Sequence, residues 1–193
     1  MRYLGLVLLV LGALFAVAQQ DAPARRAPAP DPAMAGLVNK QFGAGYTLLP
    51  AFAPLEADFD GDGVPDLALA AHVGNPLTNA VEHHYQVIDP YNAFFGYGNP
   101  RITEQFNVQD PRQQGLVVLI IHGARAEGWH SATPKAKFVV INLPFTKLSL
   151  SRVQLKRKKT VAAIAADETD TVSSVIYWSG KKYKYEPNGA SAD

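Results

Sequence analysis

Residues Asp58 to Asp66 read Asp-Phe-Asp-Gly-Asp-Gly-Val-Pro-Asp, so carboxylates stand at positions 1, 3, 5 and 9 of one short loop, with glycine at the sixth. Carboxylates about 4–6 Å apart repel one another by on the order of a kcal/mol or more at an effective dielectric near 20, so the loop calls for a cation among them. A hard divalent ion answers that demand. Ca²⁺ takes six to eight oxygens at about 2.3–2.6 Å in flexible geometry, and this spacing can wrap it. The candidate ligands are therefore Asp58, Asp60, Asp62, the carbonyl of Val64, and Asp66. An EF-hand begins in the same way but ends on a bidentate Glu at position 12. Here that position is Leu69, inside the apolar run from Leu67 to Ala71, and Pro50 and Pro54 precede the loop, so helices do not flank it.

Strand, aspartate loop, strand is the order found in the FG-GAP or VCBS-type repeat, the calcium hairpin of integrin-like β-propellers, and Asp58 to Ala68 resembles it closely. The resemblance implies that Asp58, Asp60, Asp62 and Asp66 are side-chain ligands and that the hairpin belongs to a propeller-blade-like sheet. Phe42-Gly43 is similar to the opening dipeptide of the repeat, whereas Ala70-Ala71-His72 stands where the repeat continues Gly-Ala-Pro. One copy in a chain of this length does not make a closed propeller. As a whole the chain looks like exported bacterial proteins that carry one such motif.

Catalytic constellations are incomplete. Val117 to Ile121 followed by His122-Gly123 resembles the strand-to-His-Gly turn before the oxyanion loop of α/β-hydrolases, but no Gly-x-Ser-x-Gly elbow accompanies it. A small hydrolase using His122 with Ser131, or with an acid from the region of Glu127, is the alternative to a non-catalytic domain. His83 and His84 are adjacent and on a strand would face opposite sides, and His72, His122 and His130 are dispersed, so the histidines suggest no zinc site. The absence of cysteine removes thiol catalysis, iron–sulfur clusters and disulfides.

Charge is segregated along the chain. Residues 36–134 sum to −6 and 135–186 to +7, within an overall balance of +1. Lys156, Arg157, Lys158, Lys159, Lys181 and Lys182 could meet an anionic protein or glycan partner, or could simply blunt exposed sheet edges. Without a recognition motif, nucleic acid is not expected.

These residues need a scaffold, and its start reads as an export signal. Arg2 precedes an uncharged stretch from Leu4 to Val17, and Ala16-Val17-Ala18 offers a small-x-small cleavage site. As a helix that stretch spans only about 21 Å, short of the ~30 Å hydrocarbon core, so no permanent membrane span is expected. The expected organisation is signal peptide 1–18, an Ala/Pro-rich linker 19–35, one globular domain 36–187 and a disordered tail 188–193, with the product periplasmic or extracellular. After room for a short helix between Gly36 and Phe42, the apolar and alternating runs are strand-length. Leu116 to Ile121 is continuous and β-branched, which suits a central strand buried on both faces, beside Phe138 to Leu143. Ser179-Gly180 reads as a two-residue turn joining the last two strands, with Lys182 and Lys184 alternating against Tyr183 and Tyr185. The expected fold class is mainly β: a compact antiparallel or mixed sheet domain, propeller-blade-like or sandwich-like, with one short N-terminal helix and the calcium-binding hairpin loop.

Overall fold

The computed structural model describes residues 31–97, 113–155 and 159–188. The export signal, most of the linker and Lys156, Arg157 and Lys158 lie outside these. Helix α1 (Pro32–Phe42) starts four residues before Gly36, inside the segment read as a linker. Asp31 explains this: its side chain accepts from the Ala33 N–H at 2.9 Å, and Pro32 sits in the first turn, where a missing N–H does no harm. The helix ends at Gly43, whose φ of 93° lets the backbone leave the axis.

Nearly everything after it is strand. β1 (Tyr46–Leu48), β2 (Leu55–Ala57), β3 (Asp66–Val73), β4 (Gln86–Ile88), β5 (Leu116–His122) and β6 (Ala136–Ile141) form a mixed sheet in the order β1-β3-β5-β6-β4. Strand β2 also pairs with β3, so β1 and β2 lie end to end along its edge. All pairs are antiparallel except β4 with β6. A second sheet runs β10-β9-β8-β7, an antiparallel meander of β7 (Lys147–Gln154), β8 (Thr160–Asp167), β9 (Ser173–Trp178) and β10 (Tyr183–Pro187). A short helix α2 (Pro90–Phe94) follows β4, and a 3₁₀ segment (Arg125–His130) lies between β5 and β6. Among the described residues no helix is long and apolar enough to cross a membrane.

Both faces of the first sheet are buried, because alternate residues of β3, β5 and β6 feed two separate cores. Ala68, Ala70, Val118, Ile120, Phe138 and Val140 face the second sheet, meeting Ile164, Ala166, Ile176, Tyr183 and Tyr185. Leu67, Leu69, Val117, Leu119, Val139 and Ile141 face the other way, under Val38 and Phe42 of α1 and Trp129 of the 3₁₀ segment. A strand apolar at every position is what such double burial requires. The architecture is thus sandwich-like, with a helix over the outer face. The aspartate hairpin belongs to the mixed sheet and not to the four-stranded antiparallel meander.

One local reading is corrected: the last hairpin turn holds four residues, with Tyr183 paired to Trp178 and the Ser179 N–H donating to Lys182 O at 3.0 Å.

Candidate metal centre

The loop begins one residue after β2 and ends on the first residue of β3, and Ala57 pairs with Asp66. A tight β2–β3 pairing therefore brings Asp58 and Asp66 together. Gly61 and Gly63 have φ of 77° and 86°, left-handed values that let the chain curl between them. The aspartates hold the curl from inside. Asp58 Oδ1 accepts from the N–H groups of Gly61 (2.7 Å) and Asp62 (3.1 Å), and its Oδ2 from Gly63 (2.8 Å). Asp60 Oδ1 accepts from Asp62 N–H and Asp62 Oδ1 from Val64 N–H, at 3.1 and 2.9 Å.

One oxygen each from Asp58, Asp60 and Asp66 lie within 4.8 Å of one another, so these three could hold a metal ion. Asp62 stands outside that trio, and half-buried Val64 occupies the same curl. The donors are all oxygens, which suits a hard cation and not zinc or copper.

Asp66 anchors the site in the protein. Its side chain is buried, and it accepts from Gly123 N–H at 2.7 Å, Phe59 N–H at 2.8 Å and Asp60 N–H at 3.3 Å. Strand register places Gly123: Leu67 pairs with Ile121, so the residues just beyond, Asp66 and His122-Gly123, come level. Burial pushes the Asp66 carboxyl up to about 7; the N–H donors oppose the shift, and the charge of Asp60 adds to it.

His122, the last residue of β5, connects loop and second sheet. Its Nε2 lies 2.7 Å from the hydroxyl of Tyr183 on β10, and its Nδ1 lies 3.4 Å from Asp60 Oδ2. Burial holds the imidazole below its ordinary range, against the pull of Asp60. Burial likewise raises the Tyr183 hydroxyl. The ring packs against Phe138, Trp178 and Tyr183 at centroid distances of 5.1, 5.2 and 5.7 Å.

A cation already reaches the loop. The half-exposed Lys135 ammonium lies 2.6 Å from both Asp60 Oδ2 and Asp62 Oδ2. Its own proton is held more tightly by those bonds, and the Asp62 carboxyl is pulled below the usual carboxylate range by the same contact. The β5–β6 pairing puts Lys135 there, through its N–H to His122 O at 3.0 Å. Lys159 also approaches: a Cβ on Gly61 would stand 2.9 Å from its Nζ. This lysine, one of those that could meet an anionic partner, is exposed beside the loop at Gly61. Lys181 and Lys182 are exposed on the last hairpin.

The other candidates are dispersed. The Ser131 hydroxyl bonds to Thr133 O at 3.2 Å, Glu127 is exposed, and the two His122 nitrogens face Tyr183 and Asp60. His72 meets Gln114 O, His83 meets Lys40 O, and His130 stacks on Trp129 at 3.5 Å. Local patterning misses Lys135 and Tyr183, which only sheet register brings to the loop. No family model, curated protein or solved structure matches the chain.

Proposed function

We propose that this protein is an exported, non-catalytic binding or structural domain in which one Ca²⁺, held by Asp58, Asp60, Asp62, Asp66 and the Val64 carbonyl, stabilises the fold. The convergence of Asp58, Asp60 and Asp66 within 4.8 Å carries this reading. The likeness of Asp58 to Ala68 to the FG-GAP or VCBS-type hairpin supports it. So does the position of the loop: Asp66 is bonded to Gly123 beyond β5, and Asp60 adjoins His122, which reaches Tyr183 in the second sheet. A divalent ion there would neutralise charge at the joint between the sheets. The hydrolase reading has less support, because His122 is only 1% exposed and its nitrogens are engaged.

The direct test is thermal unfolding with and without calcium. With a dissociation constant near 10⁻⁴ M and about 1 mM free calcium, mass action stabilises the fold by about 1.4 kcal/mol. For a domain of this size that is a rise in Tm of about 3–6 °C over the chelated sample. Equal melting temperatures in calcium and chelator would remove the ion from the account.

Lys135 supplies a second test, since it and the ion compete for Asp60 Oδ2 and Asp62 Oδ2. Lys135→Gln should therefore bind calcium roughly two- to fivefold more tightly, the modest size reflecting water screening of a half-exposed ammonium. Calorimetric titration reads this directly, and an unchanged or weakened affinity would show that the lysine and the ion do not share those oxygens.

A further inference from the structure

Two clefts lie side by side along the β9–β10 hairpin, away from the aspartates. The first, about 280 Å³, has walls of Phe138, Trp178 and Tyr183 and a rim of Lys181 and Lys182. The second, about 220 Å³, shares Lys182 and Tyr183 and adds Phe94 and Lys184. Each falls below the ~300–1,000 Å³ usual for drug-sized ligands, which leaves room for one ring-sized unit.

The three rings of the first cleft pack against one another at centroid distances of 5.2–5.5 Å, so their faces are fixed before any ligand arrives. The Tyr183 hydroxyl is spent on His122, which leaves ring carbon facing the cleft. Trp178 is half-buried, and Phe94 is 48% exposed. Lys181, Lys182 and Lys184 are exposed, and among the described residues none makes an ion pair. Flat apolar walls beneath unpaired ammonium groups, repeated in adjoining clefts, match a ligand that repeats in the same way. Each of its units would have an apolar ring face and a carboxylate at the edge. A bilayer surface is the competing occupant, since Phe94 and Phe95 are 48% and 49% exposed, but the walls of the first cleft are recessed, with Phe138 and Tyr183 only 4% and 5% exposed, which favours an inserted ring.

We propose that these clefts bind consecutive units of an acidic oligosaccharide, the C–H faces of uronic acid rings stacking on Trp178 and Phe94 and their carboxylates meeting Lys181 and Lys182. The inference rests on the reading of the domain as a binding module and is independent of calcium. Its test is calorimetric titration of the purified protein with a galacturonate oligomer in calcium-free buffer, since such oligomers bind calcium themselves. The methyl-esterified oligomer and phosphatidylglycerol vesicles are the comparison ligands, and circular dichroism monitors the fold. The acidic oligomer should bind at least tenfold more tightly than the ester and more tightly than the single sugar acid. Lys181→Gln with Lys182→Gln, both at exposed positions, should weaken binding at least tenfold, and Trp178→Ala should abolish it. No binding, equal binding of acid and ester, an unaffected double lysine variant, or vesicle binding that the oligomer fails to displace would each overturn the proposal. The calcium-dependent Tm is a separate measurement, so either idea can fail alone.

Discussion

Asp66→Asn should destabilise the protein by about 2–4 kcal/mol, although it changes one oxygen for one nitrogen, because no orientation of the amide satisfies the site. Above about pH 7, where this buried carboxyl is ionised, it accepts on both sides, from Phe59 and Asp60 N–H at one oxygen and from Gly123 N–H at the other. Asparagine presents one carbonyl and one NH₂, so on one side donor must face donor. The side chain is 1% exposed, which leaves water little access to fill the gap. A buried N–H left unpaired costs about 1–3 kcal/mol, and hydrogen bonds to a charged acceptor contribute about 1.5–3 kcal/mol. Urea denaturation would show the loss as a lower midpoint, and the rise of Tm with calcium should disappear in the same variant. A variant within about 0.5 kcal/mol of the parent, the range of ordinary surface changes, would mean that Asp66 does not tie the loop to β5.

The second large effect belongs to Gly123. A methyl group there would stand 2.2 Å from Pro65 O and 2.6 Å from the carbonyl carbon of Gly128, main-chain atoms that cannot swing aside as a side chain could. Gly123→Ala must push the 3₁₀ segment from the aspartate loop and carry the Asp66 hydrogen bond with it. The expected loss is about 3 kcal/mol, the upper part of the range for overpacking. Gly36→Ala is the matched control. It lies within α1 with nothing within 4 Å of its added Cβ, so the same substitution should stabilise by roughly 0.5–1 kcal/mol. Opposite signs in one thermal series would separate close approach from intrinsic backbone preference, and equal effects would contradict the packing around Pro65.

The legible parts of this molecule were those whose physics is local. The glycines and aspartates of the loop curl the chain by their own hydrogen bonds, and the short, β-branched apolar run from Leu116 to Ile121 suited a strand enclosed on both faces, as β5 is. The start of α1 was missed although its signal is local: Asp31-Pro32 is a capping residue followed by a first-turn proline, but the Ala/Pro composition around it read as linker. Strand β2 was not legible: three residues are too few for a periodic signal, and pairing with β3 forms it. The least legible feature was the charge compensation of the loop. Four close carboxylates had implied a cation, and part of that demand is met by Lys135, whose place follows from the antiparallel match of β5 with β6 and from nothing near it in sequence.

Strand β5 is bonded on one side to β3 and on the other to β6, with separate apolar clusters above and below it. Its amides can meet solvent deuterium only when the molecule opens as a unit, whereas the three-residue β1, β2 and β4 can fray individually. Isotope exchange at Val118 to Ile120 would therefore report the whole unfolding free energy. The neighbouring Gly123 amide, held by Asp66, would report the opening of the hairpin, so one spectrum would tell whether that opening and global unfolding are a single event.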